Sequence, residues 1–268
     1  VTRLPGPAAA IALGIAALPL GSAAAAAVSP FDGTWIADLT SQGGLPEDDY
    51  LLSGGIYSCR SCSPPRSYPA DGKPHAIAGD ENVTSEAVTV TGPRSILTRI
   101  VSPAMTRSTT MTVSPDGQTA TYVSIDHRPG VKGPLRTEYL ARRAAAAPPG
   151  AHAVSGKWQG LRYVAVPVQL RTTELHVTGS RFRYRVPIGA SYSATFGGDA
   201  VPVHGPYRGK IMAAVTRNGD RQIVATLKQD GKLVATRTFT LLPDGKSLEI
   251  ATTSPGSDST FRVMARKQ

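Results

Sequence analysis

Two cysteines three positions apart, Cys59 and Cys62, have the spacing that most directly suggests chemistry. A redox dithiol needs its first cysteine at a helix N-terminus to lower the thiol pKa, and no helical periodicity surrounds this pair. Haem attachment needs His directly after the second cysteine, and position 63 is Ser. A zinc site needs four ligands. His75 lies at a finger-like distance, but no second His follows and Asp80 is a poor substitute. A structural disulfide is the default reading, ahead of metal binding and redox activity, and it implies an oxidising compartment. No metal or other cofactor is expected.

The histidines His75, His127, His152, His176 and His204 form no His-Glu-x-x-His, and Asp126-His127 has no accompanying Gly-x-Ser-x-Gly elbow. Two-carboxylate hydrolysis needs paired acids in a cleft, and the acids of the second half fall mostly at turns. Gly245-Lys246-Ser247 imitates the end of a phosphate loop, but the required earlier glycine would fall at Thr240. No catalytic residue is assigned, and the expectation is a non-enzymatic protein.

Two arginines interrupt apolar rows. Strand alternation puts Arg107 on a face with Met105, Thr109, Met111 and Val113, and Arg237 on a face with Leu233, Ala235, Phe239 and Leu241. In a closed barrel these rows point inward unless a bulge shifts the register, and an inward guanidinium is costly unless paired. A carboxylate or phosphate headgroup of a small amphiphilic ligand would pair it, with Tyr57 and Tyr192 as helpers. A rim position, a buried acid or a backbone carbonyl would also satisfy it. Arg181, Arg183 and Arg185 alternate with Phe182, Tyr184 and Val186, which reads as a solvated outer face or as a patch for an anionic surface.

The elements that must position these residues come from a repeat. Gly33-Thr34-Trp35 is matched by Gly156-Lys157-Trp158. Leu140-Ala141-Arg142-Arg143 is matched by Met264-Ala265-Arg266-Lys267, and Pro115-Asp116-Gly117 by Pro243-Asp244-Gly245. Three anchors in one order at offsets of about 123 to 128 residues indicate an internal duplication. Tyr57-Ser58 further aligns with Tyr192-Ser193, and the second half lacks the Cys59–Pro65 insertion. Each half reads as short strands, and Asn218-Gly219, Asp230-Gly231 and Asp244-Gly245 are hairpin dipeptides. The fold class is all-β: two tandem antiparallel up-and-down β-barrels of about eight strands each, with a β-sandwich as runner-up. Tyr50 to Ser58 reads as one strand bent at Gly54-Gly55.

Gly-x-Trp on the first strand, an eight-stranded meander and a basic residue on the last strand resemble the lipocalin (calycin-type) plan. The whole chain is similar to uncharacterised exported bacterial proteins with lipocalin-like repeats. The resemblance implies that each Trp plugs one barrel end beneath a cation from its own last strand. Trp35 would then meet Arg142 or Arg143, and Trp158 would meet Arg266. It also implies a ligand cavity in which Arg and Tyr meet an acidic headgroup.

Arg3, the apolar run from Ala8 to Leu20 and the small residues up to Ala27 have the pattern of an exported-protein signal peptide, residues 1–27. No later segment approaches membrane length, so no transmembrane segment is expected after cleavage. The remaining assignments are barrel 1 at 28–143, a Pro-rich linker at 144–153 and barrel 2 at 154–268, in a periplasmic or secreted protein. From Val28 to Ala147 there are 11 Lys and Arg against 12 acids, whereas Pro148 to Gln268 has 17 against 7. The basic second half suits an anionic envelope surface, and nucleic acid is the least expected partner in such a compartment. The combined expectation is an exported lipocalin-like binding protein for a small amphiphilic acid. Its alternative is an envelope module whose second half docks to an anionic surface or protein partner.

Overall fold

The computed structural model describes residues 28–45, 47–80, 83–205, 210–255 and 260–268. The proposed signal peptide, 1–27, lies outside the described residues. The first half supplies β1 (Gly33–Ala37), β2 (Glu47–Ser53), β3 (Ile56–Cys59), β4 (Arg66–Pro69) and β5 (His75–Ala76), then β6 (Ser85–Gly92), β7 (Ser95–Val101), β8 (Thr106–Val113), β9 (Thr119–His127) and β10 (Leu135–Ala145). The second supplies β11 (Gly156–Ala165), β12 (Thr172–Thr178), β13 (Arg181–Arg185), β14 (Ser191–Thr195) and β15 (Val201–Pro202), then β16 (Ile211–Asn218), β17 (Gln222–Gln229), β18 (Lys232–Leu241), β19 (Ser247–Thr253) and β20 (Thr260–Lys267). A 3-10 turn, Leu39–Ser41, follows β1, and a one-turn helix, α1 (Val168–Arg171), follows β11.

The strands form two nearly closed antiparallel barrels of ten strands each, where the sequence suggested about eight. One extra strand comes from Tyr50–Ser58. Gly54 and Gly55 have φ of 57° and 77°, the pair of positive angles that closes a two-residue hairpin. They therefore join β2 to β3 and do not bend one strand. Another is β4, which pairs with β3 on the far side of the cysteine loop.

The connectivity differs more deeply from two independent repeats. One barrel has the order β4-β3-β2-β11-β10-β9-β8-β7-β6-β5, the other β14-β13-β12-β1-β20-β19-β18-β17-β16-β15. The orders are equivalent strand for strand, but β1 and β11 have changed places. The first strand of each repeat is inserted between the second and last strands of the other repeat. The barrel boundaries at 28–143 and 154–268 thus describe the repeats in sequence, while each barrel in space borrows one strand.

The borrowed strands carry the Gly-x-Trp motifs, and both tryptophans are fully buried. In each copy the indole Nε1 donates to the carbonyl four residues earlier, Trp35 to Phe31 at 2.8 Å and Trp158 to Val154 at 2.9 Å. The exchange also decides which cation covers which ring. The guanidinium of Arg143 lies 4.1 Å from the Trp158 ring centre, and Nζ of Lys267 lies 5.6 Å from that of Trp35. The expected pairs Trp35–Arg142/Arg143 and Trp158–Arg266 are thus replaced. Arg142 and Arg266 are exposed, because alternation along β10 and β20 turns the neighbouring residue toward the plug. Arg143 also donates to the carbonyl oxygens of Gly117, Ser155 and Ala153. Gly156 must be glycine, since its φ is 112° and a Cβ would stand 2.8 Å from Nη1 of Arg143.

The linker is not a free tether. β10 runs into it as far as Ala145, and the two residues that follow the linker, Val154 and Ser155, are fully buried. Ser155 Oγ accepts from Leu52 N at 2.8 Å, and the His152 ring Nε2 lies 2.8 Å from the Gly92 carbonyl oxygen. Cys59 and Cys62 form the expected disulfide. No described helix is long and apolar enough to cross a membrane.

Strand exchange makes each half depend on the other. Residues 28–147 and 148–268, produced as separate fragments in one cell, are expected to co-purify as a stable one-to-one complex. Size-exclusion chromatography that returns either fragment as a folded monomer would contradict the exchanged topology.

Candidate functional site

The interiors of the two barrels meet in one partly open cavity of about 960 Å³. The exchange helps to build it. After leaving β1, the chain crosses from one barrel to the other and lines the cavity with Leu39, Gln42 and Gly44; after β11 it crosses back and contributes Val166, Leu170 and Arg171. These crossings are pinned by the Gly43–Arg262 bridge and by the 3.1 Å bond from Arg171 Nη1 to the Ala37 carbonyl oxygen. Gly44 leaves no room for a side chain, because a Cβ would stand 2.3 Å from the Thr260 carbonyl oxygen.

Equivalent positions in the repeats give the cavity two different ends. β9 and β10 contribute Tyr122 and Tyr139, where β19 and β20 contribute Ile250 and Val263. The pairs Val113–Ala120 and Leu241–Leu248 set the first correspondence, and the shared Ala141 and Ala265 set the second. On β8 and β18 the same frame makes Thr109 equivalent to Arg237. One end is therefore rich in phenols, with Tyr50 and Tyr163 adding to Tyr122 and Tyr139, and the other sets Phe239, Ile250, Phe261 and Val263 beside Arg237, Tyr184 and the hydroxyls of Thr252 and Ser254. The buried hydroxyls of Tyr122 and Tyr139 have no protein hydrogen-bond partner. Such groups are few in folded proteins and each calls for an explanation.

Arg107 and Arg237 both line this cavity, but in different states. Arg107 Nε and Nη2 bind the two oxygens of Asp126 at 2.6 and 2.9 Å, and Arg128 Nη2 reaches the same carboxylate at 3.2 Å. Asp126 is 1% exposed. Burial alone pushes its carboxyl up, but the hydrogen bonds and charge of Arg107 and Arg128 outweigh this and hold it below the usual range. Arg128 Nη1 also donates to the Ile188 carbonyl oxygen across the barrel junction, at 3.3 Å. Arg107 is thus paired with a buried acid, one of the arrangements open to it from sequence, and its cluster braces the two barrels.

Arg237 has no such acid. Its Nη1 donates to the Tyr184 hydroxyl and its Nε to Thr252 Oγ1 at 3.3 Å. No carboxylate among the described residues lies within ion-pair distance. Its guanidinium also stands 5.4 Å from the Tyr184 ring centre. Tyr57 and Tyr192 are not on the cavity wall. Tyr57 is buried between Tyr50 and Tyr68, with centroids 5.9 and 5.8 Å away. Tyr192 is buried against Tyr184 at 5.0 Å. Their similarity in sequence does not reflect equivalent places, since Tyr57 is on β3 and Tyr192 on β14.

Asp48 was not singled out by the sequence, where it is one acid in the run Glu47-Asp48-Asp49. On β2, opposite Trp158, it lines the phenol-rich end. Burial raises its carboxyl to about 6, against the opposing effect of a hydrogen bond with Tyr50. His75, by contrast, stacks on Tyr68 at 4.9 Å and pairs with Asp71 at 3.0 Å. No cluster of three potential metal ligands occurs among the described residues. Comparison with protein-family models and with curated proteins gives no match.

The raised Asp48 pKa has a defined consequence for stability. An unfolded aspartate titrates near 3.9, so the native state holds this proton more tightly than the unfolded chain. The associated stabilisation is full below about 4 and is lost as pH rises through about 6. Asp48→Asn is therefore expected to raise the melting temperature relative to wild type more at pH 7 than at pH 4. Thermal melts showing the same difference at both values would refute this role for Asp48.

Proposed function

We propose that this chain is an exported, non-enzymatic binding protein that holds one small amphiphilic acid in the cavity shared by its barrels. The observation that carries the reading is Arg237, a cation on the wall of a roughly 960 Å³ cavity with no carboxylate partner among the described residues. A guanidinium so placed gains most from a planar anion that it can grip with two parallel hydrogen bonds. The volume falls within the range of about 300 to 1,000 Å³ common for small-molecule sites. Phe239, Ile250 and Val263 offer the apolar surface for the rest of such a ligand, and the unpaired Tyr122 and Tyr139 hydroxyls offer a polar contact at the other end.

Arg107 and Arg128 on the wall share the Asp126 carboxylate, so the positive bias of the cavity comes from Arg237 and Arg171 set against Asp48. Export is supported by the N-terminal charge and apolar pattern and by the Cys59–Cys62 disulfide, which persists in oxidising compartments.

The test uses a dansylated undecanoic acid, whose fluorescence reports transfer from water to an apolar site. One equivalent is expected to bind per chain, because the barrels share a single cavity. Arg237→Leu should weaken binding by roughly tenfold or more, the loss of one charge-assisted contact. Arg107→Leu should chiefly lower the melting temperature, because it strips a partner from buried Asp126. Two independent sites per chain, or unchanged affinity in Arg237→Leu, would refute the reading.

A further inference from the structure

A second concave site lies on the outside of the basic barrel. Arg181, Arg183 and Arg185 project from the outer face of β13, with His176 and Thr178 of β12 on one flank and Ser191 and Ser193 of β14 on the other. The far wall is the segment Val201–His204. It is folded against β14 by reciprocal 2.8 Å backbone bonds between Ser191 and His204. The groove so enclosed has a volume of about 950 Å³.

Its charge is largely unanswered. Glu174 pairs with Arg185 at 2.9 Å, but Arg181 and Arg183 have no acid within ion-pair distance among the described residues. Alternate residues on a strand recur about every 6.7 Å, so the guanidinium groups form a regular row. The fold does not require them. The pairing of Leu52 with Tyr57 and of Val177 with Phe182 places β3 of the other barrel in the position of β13. There the residues equivalent to Arg181 and Arg183 are Ile56 and Ser58. Arg185 is matched by Arg60, so the two copies differ at this face by the two cations Arg181 and Arg183, which points to a property of the second barrel alone.

We infer that this groove binds a linear acidic polysaccharide, with Arg181 and Arg183 meeting successive carboxylates. A row of cations at fixed spacing inside a trough matches a chain of repeated anions better than a flat bilayer surface. The hydroxyls of Thr178, Ser191 and Ser193 supply the hydrogen bonds that sugar hydroxyls seek. Tyr192, the only Phe, Tyr or Trp lining the groove among the described residues, is 4% exposed, so a nucleobase would have only the exposed rings of His176 and His204 to stack on. The exposed large hydrophobic residues, such as Leu161, Val164 and Leu233, lie outside the groove, so nothing in it would anchor the chain in lipid.

The test is calorimetric titration of the full chain with oligogalacturonate, a linear uronic acid polymer. Inorganic polyphosphate and phosphatidylglycerol vesicles serve as comparison arms. Oligogalacturonate is expected to bind best and to weaken as salt shortens the range of the charges. The double variant Arg181→Gln/Arg183→Ser should lose roughly tenfold or more in affinity. Arg237→Leu should leave it unchanged, which separates this groove from the interior cavity. Both substituted positions are exposed, so the double variant should keep its wild-type melting temperature. Absence of oligogalacturonate binding, or equal binding by the double variant, would overturn the inference. Stronger binding of polyphosphate or vesicles would overturn the assignment to a polysaccharide.

Discussion

The structure depends on two tryptophans being buried in barrels that their own repeats do not otherwise build. Trp35 and Trp158 are fully buried, and burying a large aromatic side chain is worth roughly 4 to 6 kcal/mol as an upper figure. Each sits on a strand whose ladder bonds run to the other repeat. Loss of either exchanged strand removes the plug from one barrel and leaves β2 and β10, or β12 and β20, with unpaired edges. A gap in the middle of a sheet also exposes a template for pairing with other chains. The barrels are therefore joined by their cores, and the short peptide between them is a minor part of the connection.

That constraint also accounts for the cavity. An unexchanged pair of barrels on a flexible linker would have two separate interiors and no fixed relation between them. Here the segments after β1 and β11 must each cross the junction, and residues from both crossings line the cavity wall. The Arg107–Asp126–Arg128 cluster then closes one side of the seam through the Ile188 carbonyl. Fixed geometry between the two halves is what joins the end bearing Phe239, Ile250 and Val263 to the phenolic end in one cavity. Pre-formed sites bind without the cost of ordering a mobile pair of domains.

Much of this was legible in the residues. The all-β class, the duplication, the disulfide and the inward placing of Arg237, Phe239 and Leu241 follow from turn dipeptides, anchor spacing and alternation; Leu233, read on the same row, is 45% exposed because a register shift against β17 intervenes. Strand exchange was not legible, because both topologies place the same residues on the same faces and use the same turns. Nothing in Gly33-Thr34-Trp35 states which last strand it will meet. The cations over the tryptophans were displaced for the same reason, compounded by one position of alternation: Arg143 and Lys267 turn inward where Arg142 and Arg266 turn out. Asp48 was hidden in an acidic run that reads as solvated loop, and only its pairing opposite Trp158 shows that it faces the interior. Tyr57 and Tyr192 were matched by dipeptide similarity, which a hairpin at Gly54-Gly55 renders inequivalent.

Divergence between the copies separates what the fold needs from what a ligand would need. The glycine with positive φ, the indole bond to the carbonyl four residues back and the overlying cation occur in both barrels. These belong to the architecture. Thr109 against Arg237, Tyr122 against Ile250, and Ser58 against Arg183 do not recur, although each pair has the same strand environment. A half-buried cation in place of a threonine adds some desolvation cost unless something answers its charge. The Tyr184 hydroxyl and Thr252 answer it only with neutral oxygens. On the proposed function, an anionic guest would supply the charge that the packing of neither barrel supplies.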